Sequence, residues 1–389
     1  MIVRAKKLFL LFGVLFLCVN SNAQVEIADD LFDNFEFHQA IKFYEKEAKL
    51  NDVQLTKYAF CQLQIHNYKT AEELYQKVVK IENTDAINFY YYGVCLKNNK
   101  KYEKAEDYFT ISKAFDSLNP YNNRMLESIS EVPSIHEKKS GLEVMNESSI
   151  NSSIAEFSPK WYKEGILYIK EIKQDGKKRL NVDYSSEYNQ LDSLAYGTAE
   201  RPLSVMYYAT FKDGVFGEPT LVAKSKKFHI GAFDINQQTG EIYFTKVDII
   251  TNWSTGGAKS HPRIYKATLD TATTAFINVK KVAIKKLSDD IGAGHPALSK
   301  DGKTLYFSSN LEDGFGGSDL YSSVLGEDGR WQAPINLGGY INTPGDEVFP
   351  VLNDTVLYYS TNGKAGFGGL DIFRANITSK GIEDPIILA

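Results

Sequence analysis

Three cysteines, three tryptophans and four methionines are spread over 389 residues, and this scarcity sets the first limits. Cys18 lies in the apolar N-terminal run, so only Cys61 and Cys95 remain beyond it. The chain has no Cys-x-x-Cys or His-x-x-x-His pair, and His38, His66, His136, His229, His261 and His295 are scattered, which leaves no sequence case for zinc. A Gly-x-Ser-x-Gly elbow and a Gly-x-x-x-x-Gly-Lys loop are missing too, and with them the local signatures of a serine hydrolase and of a phosphate cradle. Past residue 23 no stretch approaches the ~20 apolar residues of a membrane-spanning helix. Cations are in deficit: the formal charge is −5, and −8 once Arg4, Lys6 and Lys7 are set aside with the N-terminal run. Nucleic acid is thereby disfavoured as a partner, since phosphate binding needs concentrated Lys and Arg.

What is present begins with an address. Arg4, Lys6 and Lys7, the apolar stretch Leu8 to Val19, and Ser21-Asn22-Ala23 read as a secretory leader over 1–23, cleaved to expose Gln24. Cys18 raises lipidation as an alternative, against which Leu17 stands where a small residue is wanted. The expected location is the periplasm.

From 24 to 130 the period is helical. Ala40, Ala71 and Ala105 each open an Ala-x-x-x-aromatic step ending in Tyr44, Tyr75 and Phe109, and Ala71 to Ala105 is 34 residues, the tetratricopeptide spacing. Gly93 is the small residue that lets paired helices approach. Cys61 and Cys95 occupy equivalent repeat positions, and like helices stack about 8–10 Å apart, too far for a disulfide, so two packed thiols are expected. Register from Ala59 and Gly93 points Thr56, Phe60, Leu63, Gln64, Tyr90, Val94, Lys97 and Asn98 into the concave groove of such a stack, a surface suited to an extended peptide. Packing between repeats is the rival reading, above all for Phe60 and Leu63. Residues 131–150 lose the period and read as a linker.

From 151 to 389 the period is that of strands. The stretch His295 to Tyr321 returns as Phe349 to Phe373, with Leu305/Leu357, Gly314/Gly366 and Asp319/Asp371 each offset by 52, while Pro296/Pro350 is offset by 54. Each copy reads as strand, tight turn, apolar strand (Thr304 to Ser308; Val356 to Ser360), Gly-rich turn and third strand (Asp319 to Val324; Asp371 to Ala375). Asp301-Gly302 has the chemistry of a type I′ turn. Strands apolar on both faces are covered on both faces, as in stacked propeller blades. Eroded copies from Phe157 and from Phe233 bring the units to four, with Phe216-Gly-Glu-Pro219 and Trp331-Gln-Ala-Pro334 closing blades. Gly381 to Ala389 parallels such an exit, so the propeller reads as truncated. Asp183 to Arg201 is a polar insertion without strand pattern.

The runs SKDGKTLYFSSN, GFGGSDLY and WQAPINLGGYINTPGDEVFP resemble the WD40-like (PD40, TolB-type) repeats of bacterial envelope propellers. With the helical repeats ahead of them, the chain is similar to OmpA-family proteins of Bacteroidetes associated with type IX secretion and gliding motility. It departs from them in having no peptidoglycan-binding OmpA-like end. The resemblance implies a tetratricopeptide solenoid followed by an incomplete propeller. It also implies a non-catalytic scaffold on the inner face of the outer membrane, with envelope proteins as partners and an outer-membrane barrel among them.

Candidate chemistry is thin. Asp319 and Asp371 each follow a Gly-Phe-Gly-Gly-x turn and are expected to accept turn amides; calcium, helped by Asp313, is the rival. No catalytic residue, metal or cofactor is assigned. Two other functions stay open: a glycan or peptidoglycan binder using Trp161, Trp253 and Trp331 for stacking, and a propeller-type enzyme or enzyme accessory.

Overall fold

A computed structural model describes residues 25–388 apart from 34–36, 118–119, 138–143, 154, 173–202, 225–229, 253–256, 289–290, 368 and 379–380. The leader, Cys18, the Asp183 to Arg201 insertion, His229 and Trp253 lie outside the described residues. Those described form two compact units, a helical one running to Leu126 and a β-rich one starting at Glu127.

The helices are α1 (residues 25–33), α2 (Phe37–Tyr44), α3 (Asp52–Gln64), α4 (Tyr68–Val78), α5 (Ala86–Asn98), α6 (Tyr102–Phe115) and α7 (Pro120–Glu137). From α2 to α6 each packs against the next. Among the described residues no helix is long and apolar enough to cross a membrane. Ala40, Ala71 and Ala105 are fully buried, as are Tyr75 and Phe109. A Cβ on Gly93 would stand 2.6 Å from the Phe109 ring, so only glycine lets α5 and α6 meet there.

Local chemistry fixes the ends of these helices. Asn51 caps α3 in a reciprocal box with Gln54, both bonds being 2.9 Å. Both α3 and α5 stop at a left-handed residue, His66 (φ 59°) and Lys100 (φ 61°), 34 apart. The amides that follow, Asn67 N and Lys101 N, reach back to Gln62 O and Leu96 O at 2.9 Å. Cys61 and Cys95 are free and buried, and burial pushes both thiols well above their ordinary range. α7 continues through Pro133 to Glu137, into the 131–150 stretch that reads as a linker in sequence.

The β-rich unit is propeller-like. Its first meander is β1 (Glu156–Tyr162), β2 (Gly165–Ile172), β3 (Leu203–Lys212), β4 (Val215–Phe216) and β5 (Thr220–Lys224). The second is β6 (Phe233–Ile235), β7 (Glu241–Asn252), β8 (Gly257–Asp270) and β9 (Ala275–Lys281). The third is β10 (Ala293–Leu298), β11 (Thr304–Ser309), β12 (Asp319–Val324) and β13 (Ile335–Asn336). The fourth is β14 (Glu347–Asn353), β15 (Val356–Thr361), β16 (Asp371–Thr378), β17 (Gly381–Ile382) and β18 (Ile386–Ile387). A parallel pair at Lys224 and Ala275 joins the first two meanders into one sheet; the other two are separate sheets. Apolar side chains interleave between successive blades: Leu167, Ile169 and Met206 meet Phe233, Ile242 and Phe244; Tyr243 and Ile264 meet Leu305, Phe307 and Tyr321; Leu320 meets Leu357 and Tyr359.

Two local expectations change. Gly302 has φ 67° while Asp301 does not enter the left-handed region, and Gly302 N bonds Ser299 O at 2.8 Å, so this is not a type I′ turn. The exit segments are not simple connectors either. Trp331 bridges Leu325, and Ile335-Asn336 and Ile386-Ile387 pair with β12 and β16 as outermost strands.

A shared bulge aligns the blades better than the apolar pattern does. Ser158, His295 and Phe349 all have φ between 52° and 55°, and each immediately precedes a proline. Each ladder slips there, between Phe157 and Lys160, Gly294 and Ala297, Val348 and Val351. Proline cannot donate to a ladder, so a bulge is where a strand tolerates it. The bulged residues then join neighbouring blades: Phe233 N donates to Ser158 Oγ at 3.1 Å, and the His295 ring lies 4.1 Å from that of Phe349. Burial lowers the His295 pKa to about 4, keeping this joint neutral.

Candidate functional site

The eight groove residues of the helical unit do not form one open surface. Phe60 packs edge-on against Phe32, Phe37 and Tyr91, Leu63 is buried, and Lys97 is 3% exposed. Thr56 donates to Asp52 O and Asn98 to Val94 O, which ties both back to their own helices. Tyr90, Val94 and Gln64 are half-buried, Tyr90 lying against Phe109 and Tyr121. The apolar members are taken up in packing between helices, so register alone overstates the groove.

In the β-rich unit the Gly-rich corner is a joint between blades. Phe315 N and Asn336 Nδ2 donate to Asp319 Oδ2 at 2.5 and 2.9 Å. Gly314 lies under that carboxylate, where a Cβ would meet Oδ2 at 2.7 Å, and Gly366 lies under Asp371 in the same way at 2.0 Å. Across the joint Gly317 N donates to Gly345 O, and Asn342 exchanges two bonds with the Leu320 backbone. Burial raises the Asp319 pKa against those hydrogen bonds. Asp313 is engaged by the Tyr321 hydroxyl at 3.1 Å. Among the described residues no cluster of three His, Cys, Asp or Glu could hold a metal ion.

Glu347 is a carboxyl that sequence reasoning passed over. It stands three residues before Pro350 and accepts from Thr343 N (2.8 Å), Thr343 Oγ1 (2.6 Å) and Thr361 Oγ1 (2.5 Å). Glu156 stands three before Pro159 and is clamped alike by Ser152 N and Oγ, but it also pairs with Lys170 at 3.2 Å. The recurrent signal is a hydroxyl residue four before a glutamate at a strand start. The two titrate differently. For Glu156 burial pushes up, and the bonds from Ser152 and Lys170 outweigh it, leaving the carboxyl below its ordinary value. Glu347 forms no ion pair among the described residues, and burial raises it to about 7 despite the threonines.

Two surfaces of the β-rich unit are open to a ligand. Trp161, at the end of β1, is 58% exposed, with Phe211 5.4 Å and Phe216 6.1 Å away between ring centres, and with Val215 62% exposed beside them. Lys163, Glu164 and Asp213 are exposed at the adjoining turns. Trp331, by contrast, is core: 4% exposed and edge-on to Tyr243. The second surface is a cleft of about 1010 Å³ against the fourth blade, floored by Tyr358, Phe373 and Thr343 and rimmed by Tyr340. Glu127 and Glu131, one turn apart on α7, line one side, and Asp384, Lys364 and Arg374 also face it. Burial lowers the Lys364 pKa, and its Nζ donates to Tyr340 O at 2.8 Å.

No family model and no curated protein matches the chain. Solved structures do. A puromycin-hydrolyzing peptidase of Mycobacterium tuberculosis aligns at 11% identity and a TM-score of 0.33, over 61% of this chain and 39% of its own. The GH43 protein BlXynB of Bacillus licheniformis aligns at 11% and 0.34, over 64% and 45%. A further glycoside hydrolase aligns at 10% and 0.29, over 59% and 64%. The chain thus spans about two fifths of the peptidase. These structures are hydrolases, and the expectation of a non-catalytic scaffold, together with the exclusion of an enzyme, is withdrawn. At such identities no substrate and no catalytic residue passes from them to this chain.

Proposed function

We propose that the β-rich unit is the ligand-engaging part of a propeller-type enzyme or enzyme accessory, and that its ligand is a carbohydrate chain stacked on Trp161. The observation that carries this is the indole itself. A tryptophan 58% exposed beside two further aromatic rings leaves apolar surface in water that a ligand would cover. The apolar face of a sugar ring matches an aromatic face, and Glu164 and Asp213 at the neighbouring turns supply acceptors for its hydroxyls. The cleft favours catalysis over mere holding. Carboxylates of Glu131 and Asp384 face the same space, and paired carboxyl groups are the equipment of glycoside cleavage.

We place the protein in the envelope on the strength of its leader, within reach of peptidoglycan. The buried alanines at Ala40, Ala71 and Ala105 and the glycine contact at Gly93 support reading the helical unit as tetratricopeptide repeats. The 52-residue register supports kinship with the envelope propellers it resembles.

The test is co-sedimentation of the mature chain with sacculi, chitin and xylan, followed by assay of released reducing ends. Trp161→Ala is expected to weaken binding at least ~10-fold, as loss of a stacking aromatic does. If the protein is an enzyme, Glu131→Gln with Asp384→Asn stops release while binding persists; binding without release makes it an accessory. Equal binding by Trp161→Ala, or none by the unaltered chain, would overturn the reading.

A further inference from the structure

We infer that Arg124 is the centre of a carboxylate-binding site in the helical unit, a role separate from the carbohydrate reading. Arg124 lies on the first half of α7 and is 8% exposed. Its guanidinium carbon sits 4.6 Å from the centre of the Tyr121 ring, and it hydrogen-bonds the Tyr90 hydroxyl. Its Nε and Nη1 are buried with no hydrogen-bond partner among the described residues, and there it forms no ion pair.

A guanidinium cannot shed its proton to escape this position, as a buried lysine can. Burying an unpaired charge costs several kcal/mol, so buried cations are found with an anion. Several lysines of this chain illustrate the pairing: Lys101 meets Glu72 at 2.7 Å, Lys266 meets Glu241 at 2.9 Å and Lys160 meets Asp234 at 3.5 Å. Arg124, more deeply buried than Lys101 or Lys266, has a tyrosine where these lysines have a carboxylate. The missing partner is therefore an anion from outside the described residues.

Its chemistry follows from the surroundings. Tyr90, Tyr121 and Phe109 border the guanidinium or its tyrosine partner, with ring centres of Tyr90 6.2 Å from Tyr121 and 5.6 Å from Phe109. One permanent positive charge in an aromatic setting balances a carboxylate and leaves a phosphate dianion with charge uncompensated. Tyr121 is 38% exposed, so its ring is the wall nearest solvent and the side from which the ligand enters. The carboxylate comes either from a small organic acid or from the end of a polypeptide.

Thermal unfolding of the mature chain in sodium acetate, sodium phosphate and sodium chloride at matched ionic strength tests this, with N-acetylalanine and N-acetylalanine amide as further probes. Acetate and N-acetylalanine are expected to raise the midpoint of the helical unit by a few degrees over chloride, and the amide to leave it unchanged. Arg124→Met, close in volume, abolishes the rise, and Arg124→Lys retains only part of it. N-acetylalanine acting at tenfold lower concentration than acetate assigns the site to a chain terminus; equal potency assigns it to a small acid. No rise over chloride, an equal rise in Arg124→Met, or a response to phosphate alone overturns the site.

Discussion

Gly316→Ala is expected to lower the unfolding midpoint of the β-rich unit by roughly 6–12 °C, while Gly369→Ala, in the matching turn one blade later, changes it by about 1 °C or less. A Cβ on Gly316 would stand 2.3 Å from the carbonyl carbon of Pro344 and 2.4 Å from its oxygen. These are backbone atoms of the segment leading into the fourth blade, so no rotamer change relieves the clash. Overpacking of this kind costs about 3 kcal/mol, and each kcal/mol moves the midpoint of a domain this size by about 2–4 °C. Gly369 has no atom within 4 Å of its missing Cβ and does not occupy the left-handed region, so alanine fits. Calorimetry on the two variants separates a glycine demanded by a joint from one inherited with the repeat.

Glu347→Gln should remove a pH dependence of stability. The folded carboxyl is raised to about 7 from an ordinary 4.5, so between these values the folded state binds a proton that the unfolded chain has lost. Its contribution is complete below about pH 4.5 and is lost as pH rises through 7, by at most about 3 kcal/mol. The unaltered β-rich unit then melts roughly 5–10 °C lower at pH 8 than at pH 5 through this group, taking about 2–4 °C per kcal/mol. The glutamine variant loses that difference and is the more stable of the two at pH 8. Parallel midpoint curves for the two proteins across pH 5–8 would show that Glu347 is ionised throughout.

The strands of the two strong repeats are legible in the sequence because alternation and register reinforce each other. Asp319–Val324 begins and ends where the sequence places it, and Thr304–Ser309 runs one residue longer. In the eroded first blade the bulge, and not the apolar pattern, sets the register. The bulge at Ser158 pairs Lys160 with Leu167, as Ala297 pairs with Tyr306, so Leu167 faces the following blade. A left-handed residue before proline carries no composition signal and cannot be read from one copy.

The site residues were less legible for a related reason. Helical register gives the direction of a side chain but not what covers it, so Lys97 was expected in an open groove and is buried instead. Arg124 belongs to no repeat, so nothing in the sequence pattern marks it, although its Nε and Nη1 are buried beside Tyr121 with no hydrogen-bond partner among the described residues. Trp161 and Trp331 look alike in sequence. Trp331 bridges Ile284 and Leu325 and is enclosed, whereas Trp161 ends a strand beside a turn and stays in water.

Acrylamide quenching of tryptophan fluorescence, with and without soluble fragments of a polysaccharide that co-sediments with the protein, tests the Trp161 platform most directly. Saturable protection of one quenchable indole, absent in Trp161→Phe, is the predicted result. Quenching that is unchanged at saturating glycan, or protection that survives in Trp161→Phe, would contradict it.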